Sequence, residues 1–242
     1  MKILVIGDSC IDEFIYCNIE RICPEAPVPV LKPIKTSKNP GMASNVAENL
    51  KSLGIEVDII TNKDIITKTR YVDARSGQMV MRVDEHDKCE RYDGVYEIVN
   101  YDAIIISDYC KGFLTEDDIE AFAERAECPI FLDTKKQLGD WCKNIDFIKI
   151  NEFEHKKNFE RLPNYPFILD KMIVTIGSKG CKYKNKIYPV PEVSVKDVSG
   201  AGDTFMAALV VDYLKNNDIK TAITFANECA TKVVQKRGVA TI

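Results

Sequence analysis

Six short apolar segments rich in β-branched residues recur along this chain of 242 residues. They are KILVIG at 2–7, VDIIT at 57–61, AIIISD at 103–108, PIFLD at 129–133, FIKIN at 147–151 and MIVTIG at 172–177. Runs of this length and composition predict buried strands. Helical patterns separate several of them, and one of these begins where Thr115 and Asp118 have capping-box spacing. The alternation predicts an α/β fold with a mainly parallel central sheet and helices on both faces.

Two segments, 27–41 and 68–87, break this alternation because apolar and polar residues alternate within them. The second has Ser76 and Gly77 at a predicted hairpin turn. We expect a small antiparallel sheet, here called the lid, with strands from about 13–41 and 68–87. The lid would be attached to a single domain that covers residues 1–242, with one face free for substrate or for a second subunit.

Composition and charge exclude several classes of protein. The formal net charge of −4 argues against a nucleic-acid-binding surface, which needs a basic face. Nine cysteines without a C-x-x-C pair, and only two histidines, argue against a zinc site and favour reduced thiols. The N-terminal apolar run stops at Gly7, too early for a signal peptide or a membrane span. We therefore expect a cytoplasmic protein whose partners are neither nucleic acid nor membrane.

The segment DVSGAGDTF at 197–205 places small residues directly before an aspartate at the start of an apolar helix. Free backbone N–H groups and the helix dipole at such a start bind anions, and small residues allow a phosphate to come close. Asp203 is then well placed to act as a base for a hydroxyl that attacks the phosphate. The alternative is that Asp203 only caps the helix.

Other motifs decide between these interpretations. The chain has no G-x-x-x-x-G-K-[ST] loop and no H-R-D loop, which excludes the P-loop and protein-kinase phosphate sites. It does have INEFE at 150–154 and TIGSKG at 175–180. Together with GAGD, these motifs resemble the ribokinase (PfkB) family of sugar kinases. The longer strings RICPEAPVPV, SDYCKG and DTKK are similar to its heptose 7-phosphate 1-kinase branch.

This resemblance implies a ribokinase-like fold and ATP-dependent phosphorylation of a sugar phosphate. The implied substrate is D-glycero-D-manno-heptose 7-phosphate, phosphorylated at C1 to the 1,7-bisphosphate, a precursor of lipopolysaccharide or another surface polysaccharide. Asp203 would be the general base, and the backbone of Gly200, Ala201 and Gly202 would hold the transferring phosphoryl group. Two alternatives remain open: another PfkB-type sugar or nucleoside kinase with an altered pocket, and a non-catalytic protein that binds nucleotide or sugar.

The resemblance also implies roles for other residues. Residues that would bind ATP and its magnesium ion, with Glu154 nearest the metal, are Asn151, Glu152, Phe153, Glu154, Thr175, Gly177, Gly180 and Asn227. Asn227 could equally be an ordinary polar helix position. Residues that would bind the sugar hydroxyls are Asp12, Gly41 and Asn45. The substrate phosphate needs cations, and the candidates, of which two or three should converge, are Arg21, Lys68, Arg70, Arg82 and Lys111.

The chain departs from the family pattern in two respects. Met42 follows Gly41 where the family has a second glycine, which could reshape backbone contacts to the sugar. Between Thr61 and Thr67 the chain is short, where family members usually have a further helix and strand. The loss of that edge could alter the depth of the pocket. In the resembling family the lid often meets its copy, so we expect a homodimer that forms through the lid.

Overall fold

The computed structural model describes residues 1–94, 98–236 and 238–242. Its strands are β1 (Lys2–Gly7), β2 (Ser9–Ile22), β3 (Pro29–Met42), β4 (Glu56–Thr61), β5 (Thr67–Asp73), β6 (Met79–Glu85), β7 (Ala103–Asp108), β8 (Ile130–Thr134), β9 (Phe147–Asn151), β10 (Met172–Thr175), β11 (Cys181–Tyr183) and β12 (Lys186–Tyr188). Its α-helices are α1 (Ala43–Ser52), α2 (Glu116–Arg125), α3 (Glu152–Asn158), α4 (Pro166–Leu169), α5 (Ala201–Asn216) and α6 (Ile219–Val233).

The main sheet has eight strands in the order β12-β11-β10-β9-β8-β7-β1-β4. The strands from β10 to β4 are parallel, and all six predicted strands are among them. The last two strands, β11 and β12, are antiparallel and were not predicted, because three residues each give too short a pattern. Since parallel strands end at one edge, the loops after β1, β7, β8, β9 and β10 meet there.

Helices cover both faces of the main sheet, as predicted. Helices α1, α5 and α6 pack on one face, and α2 and α4 pack on the other. Helix α5 lies between α1 and α6 and against the sheet, so its residues from Asp203 to Val211 are buried on all sides. This position explains why its sequence is apolar without a polar stripe. The predicted capping box is present at the start of α2, where the Thr115 hydroxyl accepts from the backbone N–H of Asp118.

The lid is a sheet of four strands in the order β3-β2-β5-β6. The pairs β2–β3 and β5–β6 are antiparallel, but β2 and β5 are parallel. The predicted antiparallel lid is confirmed for these two pairs, and β2 and β5 depart from it because the chain passes through α1 and β4 between them and returns in the same direction. The lid strands also begin earlier than predicted, at Ser9. The hairpin turn at Ser76 and Gly77 is confirmed, with Gly77 at φ 77°.

The short segment 62–66 joins the main sheet directly to the lid. Its Asn62 side chain accepts a hydrogen bond from the backbone N–H of Ser9 (2.7 Å) and donates to the Ser9 carbonyl (3.2 Å). Ile66 in the same segment is fully buried. These contacts tie the start of β2 to the end of β4, so the lid is anchored at the carboxyl edge of the main sheet.

Candidate active site

The start of α5 lies at the carboxyl edge of the main sheet and is shaped by glycine. Gly200 caps the helix in the left-handed region, at φ 78°. A Cβ atom at Gly200 would lie 2.6 Å from Nδ2 of Asn45, and one at Gly202 would lie 2.8 Å from Nζ of Lys149. Gly200 therefore excludes a side chain, whereas a side chain at Gly202 would displace the Lys149 ammonium group, and glycine at both positions leaves the backbone of the first turn accessible to a ligand.

Asp203, in the first turn of α5, is 4% exposed and is held by two donors. The side-chain amide of Asn45 donates to Oδ2 (2.8 Å), and the Tyr109 hydroxyl donates to Oδ1 (2.7 Å). Burial raises the pKa of Asp203 to about 6, and these two hydrogen bonds partly oppose that rise. The carboxylate is therefore ionised at neutral pH and has a pKa close to working pH, which suits a general base.

A buried ion pair lies beside the helix start. Nζ of Lys149 is 2.6 Å from Oδ2 of Asp133, and the two residues are neighbours on β9 and β8. Burial disfavours the Lys149 charge, but the nearby carboxylates, first of all Asp133, outweigh this effect and raise its pKa. Lys149 is thus a permanent cation next to Gly202. The sequence reasoning missed it, although a lysine inside the apolar run FIKIN was a signal.

The N-x-x-E motif forms the start of α3. The Asn151 side chain accepts from the backbone N–H of Glu154 (2.9 Å), and the Glu154 carboxylate accepts from both nitrogens of Asn151 (2.8 and 2.9 Å). Glu154 is buried, and burial raises its pKa. The described residues contain no group of three or more His, Cys, Asp or Glu side chains that could hold a metal by themselves. One carboxylate still fits Mg²⁺, which binds mainly through water and substrate phosphates.

A cavity of about 790 Å³, here called the main cavity, opens beside the start of α5. Its volume is within the range of roughly 300–1,000 Å³ that is typical of small-molecule sites. The predicted nucleotide-binding and phosphoryl-binding residues all line it, namely Asn151, Glu152, Phe153, Glu154, Thr175, Gly177, Gly180, Gly200, Ala201, Gly202 and Asn227. The Asn227 amide also donates to the Tyr188 carbonyl (2.9 Å), so this residue helps to hold β12 in place.

The predicted sugar-binding residues lie on the lid side of Asp203. A Cβ atom at Gly41 would lie 2.3 Å from Oδ2 of Asp12, so only glycine fits there. The Asp12 carboxylate pairs with the Arg70 guanidinium on the adjacent strand. Burial raises the pKa of the Cys10 thiol to about 12. The next largest influences on this pKa are the charges of Asp12, Lys68, Arg70 and Asp203. The charges of these four residues, three from the lid and one from α5, therefore act on the same thiol.

Of the five predicted phosphate-binding cations, the structure brings three close together in a partly buried group. Lys68 is 6% exposed, and its pKa is lowered by burial and by the charges of Lys111 and Lys135, with Cys10 and Asp12 opposing. Nζ of Lys68 lies 2.9 Å from the Met42 sulfur. Lys111 pairs with Asp87 at 2.5 Å. Lys68, Arg70 and Lys111 are thus brought together, and Lys135 joins them although the sequence reasoning missed it.

The other two predicted cations are exposed. Arg82 lies opposite Arg70 on the neighbouring strand, and the charges of Asp12 and Asp87 act on it, but it pairs with Asp84 on its own strand at 2.6 Å. Arg21 is exposed near the end of β2, nine residues beyond Asp12, which corresponds to roughly 30 Å along an extended strand. The structure does not bring Arg21 to the Asp203 side of the lid.

Tyr109 is a third residue that the sequence reasoning left without a role. It follows β7 in the SDYCKG string, and its hydroxyl reaches Asp203. Nζ of Lys135 lies 4.1 Å from the centre of its ring, and Nζ of Lys68 lies 5.4 Å from it. The buried carboxylate of Asp8 accepts from the Tyr109 backbone N–H (2.6 Å). Asp8 thus supports the turn that presents Tyr109.

Comparison with known proteins identifies the family. A sequence profile described as pfkB family carbohydrate kinase matches residues 67–242. The bifunctional protein HldE of a Nitratiruptor species is 32% identical over 292 aligned positions, which cover 99% of this chain and 63% of that protein. The chain thus spans less than two thirds of this relative. Because the alignment is longer than the chain, the relative has residues in the aligned region that this chain lacks.

Solved structures show the same fold. The ribokinase from Thermotoga maritima superposes with a TM-score of 0.71 at 18% identity, over 98% of this chain and 94% of that one. Arabidopsis thaliana ribokinase, complexed with ribose and ATP, superposes with a TM-score of 0.68 at 16% identity, over 98% and 93% of the two chains. The fold is therefore ribokinase-like, as predicted. Among the described residues, no helix combines the length and apolar character needed to cross a membrane.

Proposed function

The chain belongs to the pfkB family of carbohydrate kinases, and from this premise we propose that it phosphorylates D-glycero-D-manno-heptose 7-phosphate at C1 to give the 1,7-bisphosphate. The observation that carries the proposal is the position of Asp203. This buried carboxylate follows Gly202, which lines the main cavity at the start of α5, and its charge acts on Cys10 together with those of Lys68 and Arg70 from the lid. Phosphoryl transfer needs this arrangement of donor, base and acceptor.

In the proposed reaction, Asp203 takes the proton from the acceptor hydroxyl. The hydroxyl oxygen then forms a bond to the γ-phosphorus of ATP, and the bond from that phosphorus to the bridging oxygen of ADP breaks. The backbone N–H groups of Gly200 and Gly202 stabilise the charge that develops on the transferring group, and Lys149 adds a cation beside them. The N–H of Ala201 between them already donates to the Val198 carbonyl (3.2 Å) and would have to exchange that bond for the phosphoryl group. One preorganised donor of this kind is typically worth about 2.7 to 4 kcal/mol.

The nucleotide occupies the main cavity in this proposal. Kinases of this family use ATP, and the Arabidopsis ribokinase was solved with ATP and ribose. Thr175, Gly177 and Gly180 line one side of the cavity, and Asn227 lines the other. Glu154 would hold the water shell of Mg²⁺, and Asn151 orients its carboxylate. When bound, Mg²⁺ would neutralise charge on the ATP phosphates.

The acceptor lies on the lid side of Asp203, where Asp12, Gly41 and Asn45 contact the sugar hydroxyls. Lys68 and Lys135 bind the substrate phosphate, with Lys111 close by. Lys68 supports this role because it is a buried cation whose side-chain nitrogen contacts a methionine sulfur rather than a carboxylate. A phosphate group would compensate that cation. Arg70 is engaged by Asp12 and positions this carboxylate.

The choice of heptose rests on the long strings RICPEAPVPV, SDYCKG and DTKK and on the relative named HldE. The first alternative is another PfkB-type sugar or nucleoside kinase whose pocket changed with the short 62–66 segment. The second is a non-catalytic protein that binds nucleotide or sugar. The intact Asp203, Asn151 and Glu154 favour an active kinase over this second alternative.

We further propose that the protein is a cytoplasmic homodimer that forms through the lid. All seven residues of β6 are exposed, and they include Met79, Met81 and Val83. An exposed apolar strand at a sheet edge favours pairing with a second copy. All nine cysteines are free thiols, which is typical of a reducing compartment.

A coupled ADP-release assay over a panel of sugars and sugar phosphates tests the proposed function. We expect the highest kcat/KM for D-glycero-D-manno-heptose 7-phosphate, with release of one ADP per 1,7-bisphosphate formed. Faster turnover of a different sugar or of a nucleoside would favour the first alternative. Nucleotide binding without turnover of any acceptor would favour the second.

A further inference from the structure

The two oxygens of the Asp203 carboxylate are held by donors from separate parts of the chain. Asn45, on α1, donates to Oδ2, and Tyr109, in the loop after β7, donates to Oδ1. Two donors on different oxygens fix the plane of a carboxylate as well as its position. Tyr109 is in turn fixed through its backbone N–H, which donates to Asp8 (2.6 Å).

The Tyr109 ring is flanked by two ammonium groups. Lys135 lies 4.1 Å and Lys68 lies 5.4 Å from the ring centre, both within cation–π range. Cations at a phenol ring withdraw electron density and make its hydroxyl a stronger hydrogen-bond donor. Burial, and then the charge of Asp203, raise the pKa of Tyr109 well above its usual value. Tyr109 therefore remains a phenol and acts toward Asp203 only as a donor.

We propose that Tyr109 is a positioning residue for phosphoryl transfer, which keeps the Asp203 carboxylate ionised and aimed at the acceptor hydroxyl. This inference rests on the proposed function of Asp203 as the base. A donor to a carboxylate stabilises the ionised form over the protonated one. Without the Tyr109 hydroxyl, the buried carboxyl group would hold its proton to higher pH and would lose one of the two contacts that orient it.

Other groups facing Asp203 do not replace this donor. Asp133, on β8, raises the pKa of Asp203, and Lys149, on β9, lowers it. These two residues pair with each other at 2.6 Å, so their charges largely cancel at Asp203. Among the groups that act on Asp203, Asn45 and Tyr109 are the ones that donate hydrogen bonds to it directly. Of these two donors, the Tyr109 hydroxyl can be removed without other change to the side chain, by substitution with phenylalanine.

The test is the variant Tyr109→Phe, with kcat/KM measured against pH. A hydrogen bond to a charged group is worth about as much as one pKa unit, so the acid limb of the profile should move up by about one pH unit. Activity at high pH should be largely kept. The matched control is Tyr101→Phe, which removes a hydroxyl that donates to Asp58 (2.6 Å) away from the site. The control should keep the wild-type profile, and both variants should remain folded at the assay temperature.

An acid limb that stays at the wild-type pH in Tyr109→Phe would overturn the inference. A loss of kcat/KM that is equal at every pH would assign Tyr109 to packing or substrate contact instead. A direct readout that needs no substrate is the carboxyl ¹³C titration of Asp203 by NMR, with Asp203→Asn to assign the signal. A midpoint that is the same in wild type and Tyr109→Phe would also overturn the inference. If no acceptor were phosphorylated, the proposed function would fail, and the NMR midpoint would still decide the role of Tyr109.

Discussion

Asn45 and Asp203 are separated by 158 residues in the sequence, yet the Asn45 amide donates a 2.8 Å hydrogen bond to Oδ2 of Asp203 in the core. Asn45 lies on α1 and Asp203 lies on α5, and the two helices pack against each other on one face of the main sheet. Asn49, one turn after Asn45, accepts from the Thr204 hydroxyl (3.0 Å). The packing of α1 on α5 therefore sets the orientation of the proposed base.

Asp203→Asn should lower kcat by roughly 10²-fold or more, because the variant cannot accept the proton of the acceptor hydroxyl. ATP affinity should stay similar, since the nucleotide contacts lie in the main cavity. Steady-state ADP release and calorimetric ATP binding measure the two effects. Asp170→Asn, at an exposed carboxylate, is the control and should match wild type. Near-normal turnover of Asp203→Asn would remove Asp203 from the role of base.

Asn45→Asp should reduce kcat at pH 7 by roughly 10-fold or more. It places a second carboxyl group next to Asp203, and two close carboxylates cannot both ionise, so the pair keeps a proton to higher pH. Activity should recover as the pH rises. Asn185→Asp, in the exposed turn between β11 and β12, adds the same charge away from the site and serves as control. A loss that does not recover at high pH would contradict this electrostatic explanation.

The stability of the protein should depend on pH through Asp203. Its pKa is about 6 in the folded chain and 3.8 in an ordinary setting, because burial disfavours the carboxylate. Between these two values the folded chain binds a proton that the unfolded chain does not, so stability falls as pH rises through this window. Relative to wild type, Asp203→Asn should gain up to about 3 kcal/mol between pH 4 and pH 7.5.

Urea unfolding at the two pH values measures this gain, with Asp170→Asn as the reference. The reference variant should give the same difference from wild type at both pH values, because its carboxylate is exposed. If the free energy of unfolding of Asp203→Asn followed that of wild type in parallel, the raised pKa of Asp203 would be wrong.

Lys68→Met should lower kcat/KM for the phosphorylated sugar by about 1.5 to 3 kcal/mol, which is roughly 10- to 100-fold. The unphosphorylated sugar should be affected much less. The same change should stabilise the fold, because it removes a buried charge beside Met42. Lys184→Met, at an exposed lysine, is the control. Equal losses on both sugars would show that Lys68 does not bind the substrate phosphate.

Light scattering coupled to size exclusion should give twice the chain mass of 27.3 kDa at micromolar concentration. Met81→Lys, on the exposed strand β6, should shift the mass toward that of the single chain, because it places a charge in the proposed interface. Ile187→Lys, on the exposed strand β12, is the matched control and should remain dimeric. A wild-type mass of 27.3 kDa, unchanged by substrate, would exclude the lid dimer.

Local patterns determined most of the main sheet and the starts of α2 and α5. A buried parallel strand needs only a short apolar run, and a capping box needs two residues three positions apart, so both are written in contiguous sequence. The glycine at the start of GAGD is equally local, because the left-handed conformation of Gly200 disfavours any side chain. The predicted residues of the main cavity followed from motifs at the ends of such elements.

Tertiary structure alone decided which side chains meet. Tyr109 reaches Asp203 across 94 residues, and Lys149 meets Asp133 because β9 and β8 are adjacent and in register. No periodic pattern in the sequence predicts either contact, because both contacts depend on strand order and on the packing of elements that are distant in the chain. The parallel pairing of β2 with β5 is of the same kind. The sorting of the five cations also required the fold, because charge is visible in a sequence but burial and pairing are properties of neighbours in space.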